Sequence, residues 1–276
     1  MIIDVLIDAF SDVIRLVPFL FIVYLLMEWM EHETGQKMTR FLEAHRKGAP
    51  IAGALFGLVP ECGFSSAASS LYTSGVISAG TLIAVYLSTS DEMLPIMLSH
   101  QAPSKTILAI LAVKVIAAII GGLAVDAFAR HEKPHIDTFC KQEHCDCDHG
   151  IFVSALKHTV TITIWLYVIT FAIDLMMDSF GMTMMENLIA GHPTISLVTC
   201  TLLGMIPSCA SSILLSELYL GNVIGFASVC AGLCANAGVG MMVLFRVNHH
   251  LKDNLKIVGI TWALSFVTGL VLELLF

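Results

Sequence analysis

Residues Thr106 to Ala129 form an apolar run broken by two charged side chains, Lys114 and Asp126. About 20 apolar residues in a helix cross the ~30 Å hydrocarbon core of a bilayer. Comparable runs occur at Leu16–Met27, extended by the sparsely charged turns before it, at Val160–Met177 and at Ile257–Phe276. Hydrocarbon offers no partner to a free amide, so only helices and closed barrels can cross it. The length of these runs selects helices. An all-α polytopic membrane protein is therefore expected. Only 13% of the residues are charged, against roughly a quarter in soluble domains. The opening MIIDVLIDAFSDVIR has no basic n-region and no small-residue cleavage site, so it reads as a retained first helix. A net charge of -8 argues against nucleic acid as a partner.

Two phrases sit awkwardly in this apolar setting: PECGFSS at 60–66 and PSCASS at 207–212. They lie 147 residues apart (207 − 60), and one ungapped frame at that offset pairs Leu55 with Leu202, Gly57 with Gly204, Pro60 with Pro207 and Cys62 with Cys209. The frame continues through Ser65 and Ser212, Ser69 and Ser216, Tyr72 and Tyr219, and Val76-Ile77 and Val223-Ile224. Matches of Pro, Cys and Tyr are not cheap in a chain dominated by Leu and Val. The expected organisation is a first repeat at 1–130, a linker at 131–150 and a second repeat at 151–276.

Basic residues gather at Lys37, Arg40, Arg46 and Lys47, at Arg130, Lys133, Lys141 and Lys157, and at Arg246, Lys252 and Lys256. Segments 99–105 and 178–193 carry one and none. The positive-inside rule places the basic segments in the cytoplasm and the N-terminus outside. Each unit then makes an odd number of crossings, and the two copies have inverted topology, the construction of secondary transporters. Residues 50–75 are broken at Pro60-Glu61-Cys62-Gly63 and residues 76–98 at Ser88-Thr89-Ser90-Asp91-Glu92. A re-entrant hairpin followed by an interrupted helix fits the parity, and so do three short crossings, which give ten in all. Either way the broken helices or hairpins meet near the bilayer midplane, where irregular backbone must line a cavity or be buried in protein.

Proline opens the helix ladder and frees carbonyls for a substrate or ion. A plain kink with serines bonded back to the preceding turn is the bland alternative. Asp91 and Glu92 lie inside a span, and an intramembrane carboxylate is a functional flag by default. At offset 147 they become Gly238 and Val239, while Asn236 stands opposite Thr89 and Glu217 stands at the place of Ser70. The expected metal shell is Glu61, Cys62, Ser65, Ser88, Thr89, Asp91, Glu92, Met93, Cys209, Ser211, Ser212, Glu217 and Asn236. Oxygen donors suit Mn²⁺, and thiolate or thioether donors suit softer ions such as Zn²⁺, Cu⁺ or arsenic(III). An anion site would need Arg or Lys in the core, and Arg15, Lys114 and Lys157 read as lying near span starts or edges. Cys200, Cys230 and Cys234 read as small core residues, and the methionine pairs as packing.

The linker HEKPHIDTFCKQEHCDCDHG carries His131, His135, Cys140, His144, Cys145, Cys147 and His149. On a reducing face such a tract points to metal binding rather than disulfides. Its spacing matches no closed zinc module, so a loose cytoplasmic acceptor is expected.

The stretches GLVPECGFSSAASSLYTSGVISAGTLIAVYLSTSDEMLPIML, GIFVSALKHT and GMIPSCASSILLSELYLGNVIGFASVCAGLCANAGVGMMVLFRVN resemble a family of heavy-metal or arsenic efflux proteins. These are described as ten-helix exporters, some of them as manganese transporters. The resemblance implies a metal transporter, not an enzyme. It carries no ligand set to transfer.

No GxxxxGK[ST] pattern supplies ATP, and exporting a divalent ion against 100 mV costs about twice 2.3 kcal/mol. Proton antiport is the expected coupling, with Asp91, Glu92 and Glu61 as carriers. The metal is cargo, and no permanent cofactor is expected. The expected setting is a bacterial inner membrane, with lipid as the neighbour and a homodimer allowed. Alternatives are arsenite or organoarsenical efflux through Cys62 and Cys209, a membrane-embedded enzyme using Glu61, Cys62 and His158, and a sensor acting through the linker.

Overall fold

A computed structural model describes residues 48–59, 62–90, 92–128, 151–180 and 193–275, with further helical positions between Leu6 and Leu25. Its helices are α1 (Ala49–Phe56), α2 (Cys62–Thr73), α3 (Ala79–Ser88), α4 (Met93–Ser99), α5 (Ser104–Phe128) and α6 (Ile151–Phe180). They continue as α7 (Pro193–Gly204), α8 (Cys209–Leu220), α9 (Phe226–Ala235), α10 (Gly240–Val247) and α11 (Leu251–Leu275). No strand occurs among the described residues. The linker and its seven Cys and His residues lie outside the described residues, as do Glu61 and Asp91.

Among the described residues, three segments are long and apolar enough to cross a membrane: Ser104–Phe128, Phe226–Val247 and Leu251–Leu275. The second contains α9, a break and α10. At 1.5 Å per residue, α1 with 8 residues and α2 with 12 are about 12 and 18 Å long, so neither crosses ~30 Å alone.

Helix limits recur along the chain. α2 and α8, α3 and α9, and α5 and α11 begin 147 residues apart (209 − 62, 226 − 79, 251 − 104) and have equal lengths. The terminators recur as well. After α2, Gly75 adopts φ 75, Val76 N–H donates to the Leu71 carbonyl at 2.9 Å and Gly75 N–H to the Tyr72 carbonyl at 2.9 Å. After α8, Asn222 adopts φ 57, Val223 N–H donates to the Leu218 carbonyl at 2.9 Å and Asn222 N–H to the Tyr219 carbonyl at 3.0 Å. This is the left-handed C-terminal motif that Gly and Asn accommodate best. N-termini use local hydroxyls: Ser78 accepts from Thr81 N–H and Ser208 from Ala210 N–H, both at 3.1 Å.

The two central helices are α3 and α9, buried along nearly their whole lengths. α1 and α5 flank α3, and α7 and α11 flank α9 in the same way. The short elements exchange between halves, with α2 on α10 and α8 on α4. Close approach requires glycine at both flanks. A Cβ on Gly57 would lie 2.7 Å from the Val85 carbonyl oxygen, and one on Gly204 would lie 2.0 Å from the Gly232 carbonyl oxygen.

Polarity is distributed inside out. Ser65, Ser66, Ser69, Ser70, Ser88, Thr89, Ser211, Ser212 and Ser216 are buried, while Leu55, Leu108, Ile120, Ile164, Leu202 and Val267 are exposed. A water-soluble chain would pay heavily for that arrangement, whereas in lipid an apolar exterior is the favourable one.

Candidate functional site at two helix interruptions

α3 ends at Thr89 because three consecutive hydroxyls compete with backbone amides for its carbonyls. Ser88 Oγ donates to the Ala84 carbonyl at 2.9 Å, Thr89 Oγ1 to the Val85 carbonyl at 2.7 Å and Ser90 Oγ to the Ser88 carbonyl at 3.2 Å. The chain leaves the helix at Thr89 (φ −52, ψ 125) and re-enters at Met93. α9 ends at the equivalent residue, Asn236 (φ −82, ψ 104), and α10 begins at Gly240. Here Asn236 Oδ1 accepts from Gly238 N–H at 2.8 Å, an Asx turn that Gly238 completes at φ 54.

Broken helices leave their last carbonyls without intrahelical partners. Lys114, from the eleventh position of α5, serves both breaks. Its Nζ donates to the Leu233 carbonyl, in the last turn of α9, at 2.7 Å, and also to the carbonyl of Thr89. A cation is favourable at helix C-termini, where the dipole is negative, and this one faces two of them. Lys114 is 1% exposed and lies mid-helix. The expectation that it sits near a span start is thus wrong, because α5 begins ten residues before it.

The neighbouring interior is crowded. Gly240 lies against α2, where a Cβ would meet Ser65 Cβ at 2.7 Å. Ser69 Oγ lies 2.7 Å from Tyr86 Oη, 2.7 Å from the Gly240 carbonyl oxygen and 2.8 Å from the Ser65 carbonyl oxygen. Tyr86 Oη donates to the Gly240 carbonyl at 3.2 Å, so the two hydroxyl protons can serve both carbonyls. Asn236 Nδ2, in a side chain 2% exposed, has no hydrogen-bond partner among the described residues. Such a donor costs on the order of 1–3 kcal/mol, and it stands where α9 breaks.

Several residues of the expected shell lie in the interior. Ser65, Ser88, Thr89, Ser211, Ser212 and Asn236 are buried. Ser212 donates to the Cys209 carbonyl at 2.8 Å and Ser211 to the Ser208 carbonyl at 2.7 Å. The bland reading of the serines therefore holds for their protons, although a hydroxyl that donates backwards still offers lone pairs. Met93 packs in an apolar cluster with Cys200, Cys230 and Leu215. Cys209 packs in another with Val239 and Met242. Glu92 and Glu217 are half-buried. The Cys62 side chain, Glu61 and Asp91 lie outside the described residues. Among the described residues no three His, Cys, Asp or Glu side chains gather to hold a metal. Cys200, Cys230 and Cys234 are buried free thiols, as core residues should be.

An apolar exterior, helices of membrane-crossing length and a hydroxyl-rich buried centre define an integral membrane protein of the polytopic helical class. Within that class the chain belongs to the ArsP_2 family, whose model matches residues 1–186 under the description "Putative, 10TM heavy-metal exporter". No curated protein and no solved structure matches it.

Proposed function

We propose that the protein is a secondary transporter that exports a divalent transition-metal cation, Mn²⁺ foremost, by alternating access with proton antiport. One observation carries the reading. The C-terminal carbonyls of two equivalent broken helices, α3 and α9, converge within hydrogen-bond reach of a single ammonium. A point that satisfies one cation by backbone oxygen is the kind of place where interrupted-helix transporters hold ions. The recurring helix limits support two related units, and the basic segments support their inverted insertion with the linker in the cytoplasm. The shortness of α1 and α2 suits a hairpin that enters and leaves on one side.

In this mechanism the metal reaches the breaks from the cytoplasm, aided by the Cys/His linker. Carboxylates of Asp91, Glu92 and Glu61 exchange protons for it, and the units then rock. Asn236 Oδ1, which accepts from Gly238 N–H, keeps a second lone pair that a cation can share. The test is flux in proteoliposomes of the full chain, with Mn²⁺ inside and a pH dye on each side. Mn²⁺ efflux with opposite proton movement is expected. Efflux without proton movement removes the antiport, and no metal flux for Mn²⁺, Zn²⁺ or Co²⁺ removes the cation reading. Deleting residues 131–149 should weaken apparent affinity and leave maximal flux.

A second reading is favoured by the charge of Lys114. Arsenite is neutral near pH 7 and is not repelled by a buried ammonium. Cys62→Ser and Cys209→Ser should then abolish arsenite flux while sparing Mn²⁺.

A further inference from the structure

A buried ammonium on the carbonyls proposed to receive a cation raises a question of its own. Two of its donors point at backbone oxygens rather than into open space, so it is not presented as a receptor for anions. The tie is also a link between halves, because Lys114 and Leu233 are 119 residues apart in the chain. The equivalent position in α11 is Thr261, whose Oγ1 donates to the Ile257 carbonyl of its own helix at 2.9 Å. At this pair of equivalent positions the first half carries a cation and the second does not.

We propose that Lys114 is a built-in occupant of the cation site, a tethered ammonium that the transported divalent cation must displace from the carbonyls of Thr89 and Leu233. This rests on the metal-transport reading and adds its coupling step. While the site lacks cargo, the ammonium holds the ends of α3 and α9 together and satisfies carbonyls that would otherwise be buried without partners. An arriving cation takes over those oxygens and repels the ammonium. Displacement breaks the tie from α5 to α9, so occupancy and freedom of the halves to move change together. When cargo leaves, the tie re-forms and resets the site. Hard cations too weak to displace the ammonium, such as Na⁺ and K⁺, are excluded by the same competition.

Two experiments test it on the full chain in lipid. In the first, Mn²⁺ binding is measured by the electron-spin resonance of free Mn²⁺ for wild type, Lys114→Gln and Lys114→Arg. Lys114→Gln keeps a donor and removes the charge, so it should bind at least about tenfold tighter, because a like charge is gone from a low-dielectric site. It should also show net efflux reduced by at least about tenfold. Lys114→Arg keeps the charge and should bind no tighter than wild type. In the second, which needs no variant to fold, lysines of the wild type are reductively methylated with and without Mn²⁺ and quantified by mass spectrometry. Methylation at Lys114 should rise several-fold with Mn²⁺ and stay low with Na⁺. Wild-type Mn²⁺ transport with unchanged Lys114 methylation, or with Lys114→Gln binding no tighter, overturns the displacement and leaves the transporter. Absence of Mn²⁺ binding and transport in the wild type overturns both.

Discussion

Gly204→Ala tests whether the two halves of the interior are packed as tightly as their equivalent glycines require. The added Cβ would lie 2.0 Å from the Gly232 carbonyl oxygen, 2.9 Å from its carbonyl carbon and 3.1 Å from Ala235 Cβ. A carbon sits comfortably about 3.3 Å from a carbonyl oxygen, so α7 and α9 must part by roughly 1.3 Å. Backbone cannot turn aside as a rotamer can. Overpacking of this kind costs up to about 3 kcal/mol, which at about 2–4 °C per kcal/mol for chains near this size lowers the melting temperature by roughly 6–12 °C. Gly57→Ala meets Ser88 Oγ at 2.0 Å and the Val85 oxygen at 2.7 Å. The first contact can relax by rotating Ser88, so a smaller loss is expected. Gly259→Ala, with nothing within 4 Å of its Cβ, should hold or gain stability, since alanine exceeds glycine in helix propensity by up to about 1 kcal/mol. The assay is thermal unfolding of the three purified variants in one detergent. The expected order of melting temperature is Gly259→Ala, then Gly57→Ala, then Gly204→Ala. Melting of Gly204→Ala level with Gly259→Ala would refute the close packing of α7 on α9.

Further expectations concern the polar links. Tyr72 donates to Asp253 Oδ2 at 2.7 Å, and a double-mutant cycle of Tyr72→Phe and Asp253→Asn should give a coupling of about 1.5–3 kcal/mol, as hydrogen bonds to charged groups do. Asp126 holds the start of α3 through Gly80 N–H at 3.0 Å and Ser78 Oγ at 2.7 Å. Asp126→Ala should cost about 1–2 kcal/mol in the same melt, and Asp126→Asn less. At φ 57, Asn222→Gly should be neutral or stabilising and Asn222→Ala should lose about 1 kcal/mol, read as a shift in the unfolding midpoint.

Much of the fold was written in apolar length and in punctuation. The run at Thr106–Ala129 became α5, and the Ser88-Thr89-Ser90 cluster became the end of α3. α11 begins at Leu251, six residues before the apolar run at Ile257–Phe276, and so takes in Lys252 and Lys256 of the basic segment. Asp253 accepts from Tyr72, and helix continues beneath it. Lys114 was misread. A lysine in the middle of an apolar run is itself a functional flag, but periodicity cannot say whether it snorkels to an edge or turns inward. That choice depends on α9, more than a hundred residues away, offering a free carbonyl. The orphaned amide of Asn236 was equally invisible, since only the surrounding packing shows which of its polar atoms lacks a partner.

Backbone and chemistry part company between the halves, and electrostatics supplies a reason. Helix limits, left-handed terminators and close glycines recur at offset 147, but side chains at equivalent places differ: Lys114 against Thr261, Tyr86 against Leu233, Ser78 against Gly225. Tyr72 donates to Asp253 across the halves, whereas the residues equivalent to this pair are Tyr219 and Thr106, which carry no charge. A faithful copy of Lys114 at position 261, reaching the same two breaks, would bring a second ammonium to the carbonyls that hold the first. At about 5 Å and an effective dielectric constant near 20, two such charges repel by about 3 kcal/mol. A second cation at the centre where these two helix ends meet would face that repulsion. Duplicating the scaffold while letting only one half furnish the ammonium avoids it, and it leaves the other half's break, at Asn236, with a donor unspent.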